Sequence, residues 1–173
     1  MWLKLNLEGV IFQFRVLNYT LTDKEKWDEQ WCRIGIAYQS DSWLNYVRED
    51  DETLLSCEIE EILHNINNLL EDKLETPNEI TFIEPDFTII FNPKKDLTRD
   101  PRFVYIAPGH EIADIDMELR ISFWNDGLTA NYLSLRFFKE DISNLRNYLL
   151  LVTGEITEED PIIQKMIKSG MYY

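Results

Sequence analysis

The chain has 173 residues, 45% of them hydrophobic, enough for one core of ordinary domain size with little left for a second. Its 32 Asp and Glu against 17 Lys and Arg give a net charge of −15, which repels phosphate backbones and argues against direct nucleic-acid binding, while a basic partner is attracted. The same acidity also serves solubility, so charge alone does not name a partner. No run approaches the roughly 18–20 consecutive apolar residues that a membrane span needs.

Met1-Trp2-Leu3-Lys4-Leu5-Asn6-Leu7-Glu8 alternates apolar and polar residues. That pattern predicts a strand rather than a signal peptide, and with it a soluble cytoplasmic protein. Leu3–Leu7 and Ile11–Leu17, separated by Glu8-Gly9, read as a hairpin. Period two returns in Trp31–Tyr38 and in Ser42–Arg48, with the turn placed at Gln39-Ser40-Asp41. The period then changes. Ile59, Ile62, Leu63, Ile66, Leu69 and Leu70 share one face of an amphipathic helix over about Cys57–Leu74, with Ser56 as N-cap and Glu58, Glu60 and Glu61 at the positive end of its dipole. Thr76-Pro77-Asn78 stops it.

Glu79–Glu84 and Phe87–Asn92 are strand-like on either side of Pro85-Asp86. Arg102–Ile106, Asp116–Trp124 and Asn131–Phe138 follow, the last two joined by an Asn125-Asp126-Gly127 turn. A second helix runs from about Lys139 to Val152 and stops at Gly154; a short third one starts near Thr157. The order predicts an α+β fold: a mainly antiparallel sheet system of eight to ten strands, one long amphipathic helix, and one or two C-terminal helices. Residues 1–153 form the expected domain and 154–173 an appended helical tail. Trp31, Ile34, Ile36, Phe82, Leu119, Phe123 and Leu135 are expected in or near the core. Cys32 and Cys57 read as two buried thiols rather than a disulfide.

The search for chemistry returns little. His64 lies on the long helix, where a satisfied structural histidine is the expectation. His110, near Glu111, Asp114 and Asp116, has the residue types of a carboxylate–imidazole metal site, but acids this abundant cluster by chance. There is no Gly-rich phosphate loop, no G-x-S-x-G, C-x-x-C or H-E-x-x-H. No catalytic residue, metal ligand or cofactor is assigned. What stands out is an acidic ridge: Glu49-Asp50-Asp51-Glu52, placed in a loop before the long helix, continued by Glu58, Glu60 and Glu61. Four adjacent like charges are either solvated and mobile or face a cationic partner.

Three segments resemble the WapI-type immunity proteins, small bacterial proteins that protect cells from toxins delivered by contact-dependent competition systems. Trp27-Asp28-Glu29-Gln30-Trp31-Cys32-Arg33-Ile34 is similar to that family's Asp-x-x-Trp-Leu approach to a strand, with Cys32 in place of Leu. Leu54–Leu63 resembles its short polar lead into an amphipathic helix, and Ile80–Ile89, with Phe82-Ile83-Glu84-Pro85, is similar to its Phe-x-Glu-Pro-x-Leu hairpin. The likeness runs over about residues 3–153. Taken with the acidity and the missing motifs, it implies a non-enzymatic protein that binds and blocks a toxin domain, often a nuclease whose active face is basic; the lack of an apolar span and of cofactor motifs predicts no membrane and no cofactor. The candidate contact residues are Glu49, Asp50, Asp51, Glu52, Glu84 and Asp86, with Asp114 and Asp116 as a second set. A regulatory module with another partner, or an enzyme without a recognisable motif, is the alternative.

Overall fold

The computed structural model describes residues 1–173, apart from the side chain of Asp50. Its first half is a four-stranded antiparallel meander of β1 (Leu3–Leu7), β2 (Val10–Leu17), β3 (Trp31–Ser40) and β4 (Leu44–Leu55), paired in that order. Helix α1 (Ser56–Leu70) leads to a second sheet. There β5 (Asn78–Thr81) pairs with β6 (Phe87–Asn92), β6 with β9 (Asp116–Trp124), and β9 with β10 (Leu128–Phe138). Between β6 and β9, the short strands β7 (Lys95–Asp96) and β8 (Ile112–Ala113) make a small ladder of their own. Helices α2 (Lys139–Val152) and α3 (Pro161–Lys168) follow.

Alternation decides which face of each sheet is buried. Leu3, Leu5 and Leu7, then Phe12, Phe14 and Val16, then Cys32, Ile34, Ile36 and Tyr38 line the inner face of the first sheet. Phe87, Ile89, Phe91, Met117, Leu119, Ile121, Leu135 and Phe137 do the same for the second. Helix α1 presents Ile59, Ile62, Leu63, Ile66 and Leu69, and α2 presents Ile142, Leu145 and Leu149, to the same core. The helices pack on each other, α1 also on β4 and β6, and α2 on β1, β9 and β10. Phe12, Phe14, Ile36 and Leu54 from one sheet meet Phe82, Phe87, Ile89, Met117 and Leu119 from the other across an apolar cavity of about 30 Å³.

The Glu8-Gly9 hairpin holds both residues at positive φ, 51° and 99°, as a tight two-residue turn between twisted strands requires. Gly35 serves a different need. The Trp2 ring lies over it so closely that an added Cβ would fall 2.6 Å from the ring edge, and Arg15 stacks on the same ring at 4.5 Å.

The α+β architecture, its ten strands and its antiparallel pairing agree with the sequence reading; several local expectations do not. Residues 49–52 are not a loop but part of β4, an outer strand of the first sheet, because backbone pairing to β3 continues through them. The turn lies at residues 41–43, not 39–41. Helix α1 ends at Leu70, and its N-cap is Leu55, with Ser56 the first helical residue. The β5 strand ends at Thr81, short of Glu84. Arg102–Ile106 forms no strand: Phe103, Val104 and Tyr105 are exposed, and the segment pairs with no strand among the described residues. Phe123 is 40% exposed because β9 outruns the core, and Trp31 is only half buried. Helix α3 starts at Pro161, capped by the Asp160 carboxylate on Ile162 N–H at 2.9 Å. Cys32 is buried and Cys57 half buried; both are free thiols.

The final twenty residues return to the start of the chain. Ile163, Met166 and Tyr172 enter the common core. Trp2 and Lys4 donate backbone hydrogen bonds to Tyr173 and Met171, at 2.8 and 2.7 Å, so the tail lies along β1.

Candidate functional site

Where the end of the first sheet approaches the β5–β6 connection, a groove of about 570 Å³ opens to solvent. Tyr46, Arg48 and Glu52 from β4 form one wall, Glu84 and Asp86 another, and Ser122, Phe123 and Trp124 at the end of β9 the third. Its order comes from one buried carboxylate. Asp86, 4% exposed, accepts hydrogen bonds from Arg48 Nη1 at 2.9 Å and from Trp124 Nε1 at 2.5 Å, while its backbone carbonyl accepts from Ser122 N–H at 2.9 Å. Arg48 Nε also pairs with Asp51. Burial works against the guanidinium charge, but the hydrogen bonds it donates to Asp86 and Asp51 outweigh this and raise the Arg48 pKa above its ordinary value.

A second carboxylate fixes the wall bearing Glu84. Glu58, 7% exposed in the first turn of α1, accepts from Leu55 N–H and from Ile83 N–H, each at 2.8 Å. One bond satisfies an otherwise orphaned donor at the helix start; the other ties the β5–β6 connection to it. Glu60 is engaged too, accepting from Tyr19 Oη, Thr22 N–H and Thr22 Oγ1 at 2.9, 3.0 and 2.7 Å. Two of the three helix acids in the sequence ridge therefore act as internal ties, and only Glu61 is exposed.

The remaining sequence candidates divide. Glu49, Asp51 and Glu52 are exposed along β4; the side chain of Asp50 lies outside the described residues. A register shift sets Glu49 and Asp50 opposite Gly35 alone, a bulge that turns the strand locally. Glu52 and half-buried Glu84 both line the groove, and neither takes a hydrogen bond or ion pair from a described residue. Asp86 sits beneath them as the positioning group. Asp114 and Asp116 lie elsewhere: with Lys94, Lys95, Arg102 and Arg136 they line a separate hollow of about 450 Å³, where Asp116 accepts from Arg136 at 2.5 Å and Asn92 at 2.8 Å. His64 is exposed and meets Asn68 at 2.9 Å. His110 is exposed, and no group of three or more His, Cys, Asp or Glu suited to a metal ion occurs among the described residues.

The sequence reading missed Tyr46, Arg48, Ser122, Phe123 and Trp124 as parts of one site. Arg48 gave the only signal, as a cation immediately before a run of four acids. Phe123 and Trp124 are exposed by 40% and 49%, so the groove joins Glu52 and Glu84 to exposed aromatic surface. Its chemistry suits cationic side chains, with carboxylates for their charge and rings for their methylene stems.

Two antiparallel sheets closed by a helix pair, with an acid-and-aromatic groove at an open sheet end, define an α+β protein that offers a surface rather than a deep enclosed pocket. Over residues 3–153 the sequence matches the model of the WapI-like immunity protein family, and the chain belongs to that family. No curated protein and no solved structure matches it. No described helix is long and apolar enough to cross a membrane.

Proposed function

We propose that this chain neutralises a toxin by binding its catalytic domain, without chemistry of its own, and that the groove between β4 and the β5–β6 connection is the contact. The toxin face it fits is basic, as on a nuclease. Family membership supports the immunity role; the observation that carries the surface is Glu52 and Glu84, two acids with no ion pair among the described residues, beside exposed Phe123 and Trp124. In such an arrangement charge steers the encounter and buried rings slow dissociation. Asp86 and Arg48 keep the walls in place before the partner arrives, so little ordering is required on binding. The working compartment is the cytoplasm, where the toxin would act.

The test is co-expression with the toxin domain of the effector encoded beside this gene. Wild-type chain should restore growth and form a complex. Glu52→Lys with Glu84→Lys, folded by circular dichroism, should lose protection and slow association by about ten- to hundredfold at low salt, converging at high salt. Full protection and unchanged association in the double variant would remove the groove from the interface. Absence of both rescue and complex with the wild-type chain would refute neutralisation of that domain.

A further inference from the structure

Strand β4 is a terminal strand of its sheet and twelve residues long. Among the described residues, 44–52 make no backbone hydrogen bond to any segment except β3. The outward N–H and C=O groups of this stretch thus form an open template for one more strand. Val47 is 51% exposed and Trp43, at the turn leading in, 70%. The groove runs alongside, because Tyr46, Arg48 and Glu52 belong both to β4 and to the groove wall.

We infer that the partner docks by strand addition: an extended Lys- or Arg-bearing segment pairs with residues 44–52 as a fifth strand of the first sheet. This rests on the toxin-binding reading above and specifies its geometry. Side chains of an added strand alternate in direction. One set would enter the groove, where Glu52 and Glu84 meet cationic ends and Phe123 and Trp124 cover their stems. The other set would lie over Val47 and Glu49. Charge selects the occupant. A second copy would bring the same Glu49, Asp51 and Glu52 and the same net charge of −15 to the same edge, so acids guard it against self-pairing while admitting a basic strand.

The probe is a synthetic peptide of about eight alternating Lys and Val residues, the length of an ordinary strand, added to the full chain. A second peptide of identical sequence is methylated on every backbone nitrogen, which keeps charge and removes the ladder donors of both edges. Amide hydrogen exchange should show new protection within residues 44–52 with the first peptide. The methylated one should bind about tenfold or more weakly, the loss expected from one or two main-chain hydrogen bonds. Equal binding of the two peptides, protection confined to other segments, or no binding of either at about millimolar concentration would overturn strand addition. So would protection of 44–52 in the chain alone that grows with its own concentration, which would mean that a second copy occupies the edge. None of these results bears on rescue by co-expression, so failure here and failure of the toxin-binding reading are distinguishable.

Discussion

Glu58→Gln isolates the tie between α1 and the groove wall. The wild-type carboxylate serves two N–H groups, that of Leu55 buried and that of Ile83 part-buried, at 2.8 Å each. Hydrogen bonds to a charged acceptor contribute about 1.5–3 kcal/mol apiece, a neutral one about 1. Glutamine keeps its carbonyl for one donor and turns an NH2 toward the other, leaving one of these N–H groups unsatisfied at about 1–3 kcal/mol. It also removes a favourable charge from the helix start, worth about 0.5 kcal/mol. Easier burial of the neutral amide offsets part of this loss. The net expectation is a destabilisation of about 2–3 kcal/mol, or roughly 4–12 °C in Tm for a chain of this size. Urea unfolding followed by circular dichroism measures it. Glu58→Asp, which keeps the charge but is one methylene too short to span both donors, should lose a similar amount. A midpoint for Glu58→Gln within about 0.5 kcal/mol of wild type would show that the carboxylate does not hold this connection.

Gly35→Ala should displace the Trp2 ring from Arg15 and cost about 1–2 kcal/mol; the same change in a Trp2→Ala background should be near neutral, as thermal unfolding of the four proteins would reveal. Ile163→Ala, at a side chain with no exposure, should destabilise by about 2–4 kcal/mol, whereas Ile162→Ala, 43% exposed, should change little; equal effects in chemical denaturation would mean that the tail does not contribute to the common core. Burial pushes Tyr148 up to about 12 and raises Tyr38 and Tyr172 as well. Their raised folded values stabilise the native state fully below the unfolded value near 10; that contribution falls by about 1.4 kcal/mol per pH unit for each as pH climbs above it. Tm should therefore drop steeply from pH 10 upward, with late tyrosinate absorbance coinciding with unfolding; gradual ionisation of these rings in the folded protein would contradict it.

Elements whose side chains face one common core were legible in the sequence, because burial imposes period two or 3.6 on them: Leu3-Leu5-Leu7, the α1 stripe and β9 all carry it. Residues 49–52 escaped because an outer strand can be held by main-chain bonds alone, and the bulges opposite Gly35 and near Cys32 disturb what alternation remains. Arg102–Ile106 misled in the opposite way. Its Phe, Val, Tyr and Ile have strand propensity, but propensity provides no pairing partner. Phe123 continued the alternation of β9 past the point where the core ends. The groove was half legible: local acidity marked Glu52 and Glu84, but no local pattern links Arg48, Asp86 and Trp124, which lie far apart in sequence and meet only through the packing of two sheets. Glu58 showed its role at the helix start, while its bond to Ile83 is tertiary.

The meeting of β1 with residues 171–173 has a bearing on how the protein is made. β1 is made well before residues 171–173, so the backbone groups of Trp2 and Lys4 find their partners only after those residues have been added. Until then Leu3 and Tyr148 lack the neighbour that Tyr172 supplies. Loops of this span close slowly. A nascent chain therefore builds both sheets before it can close this seam, and one halted ahead of residue 171 would hold it open.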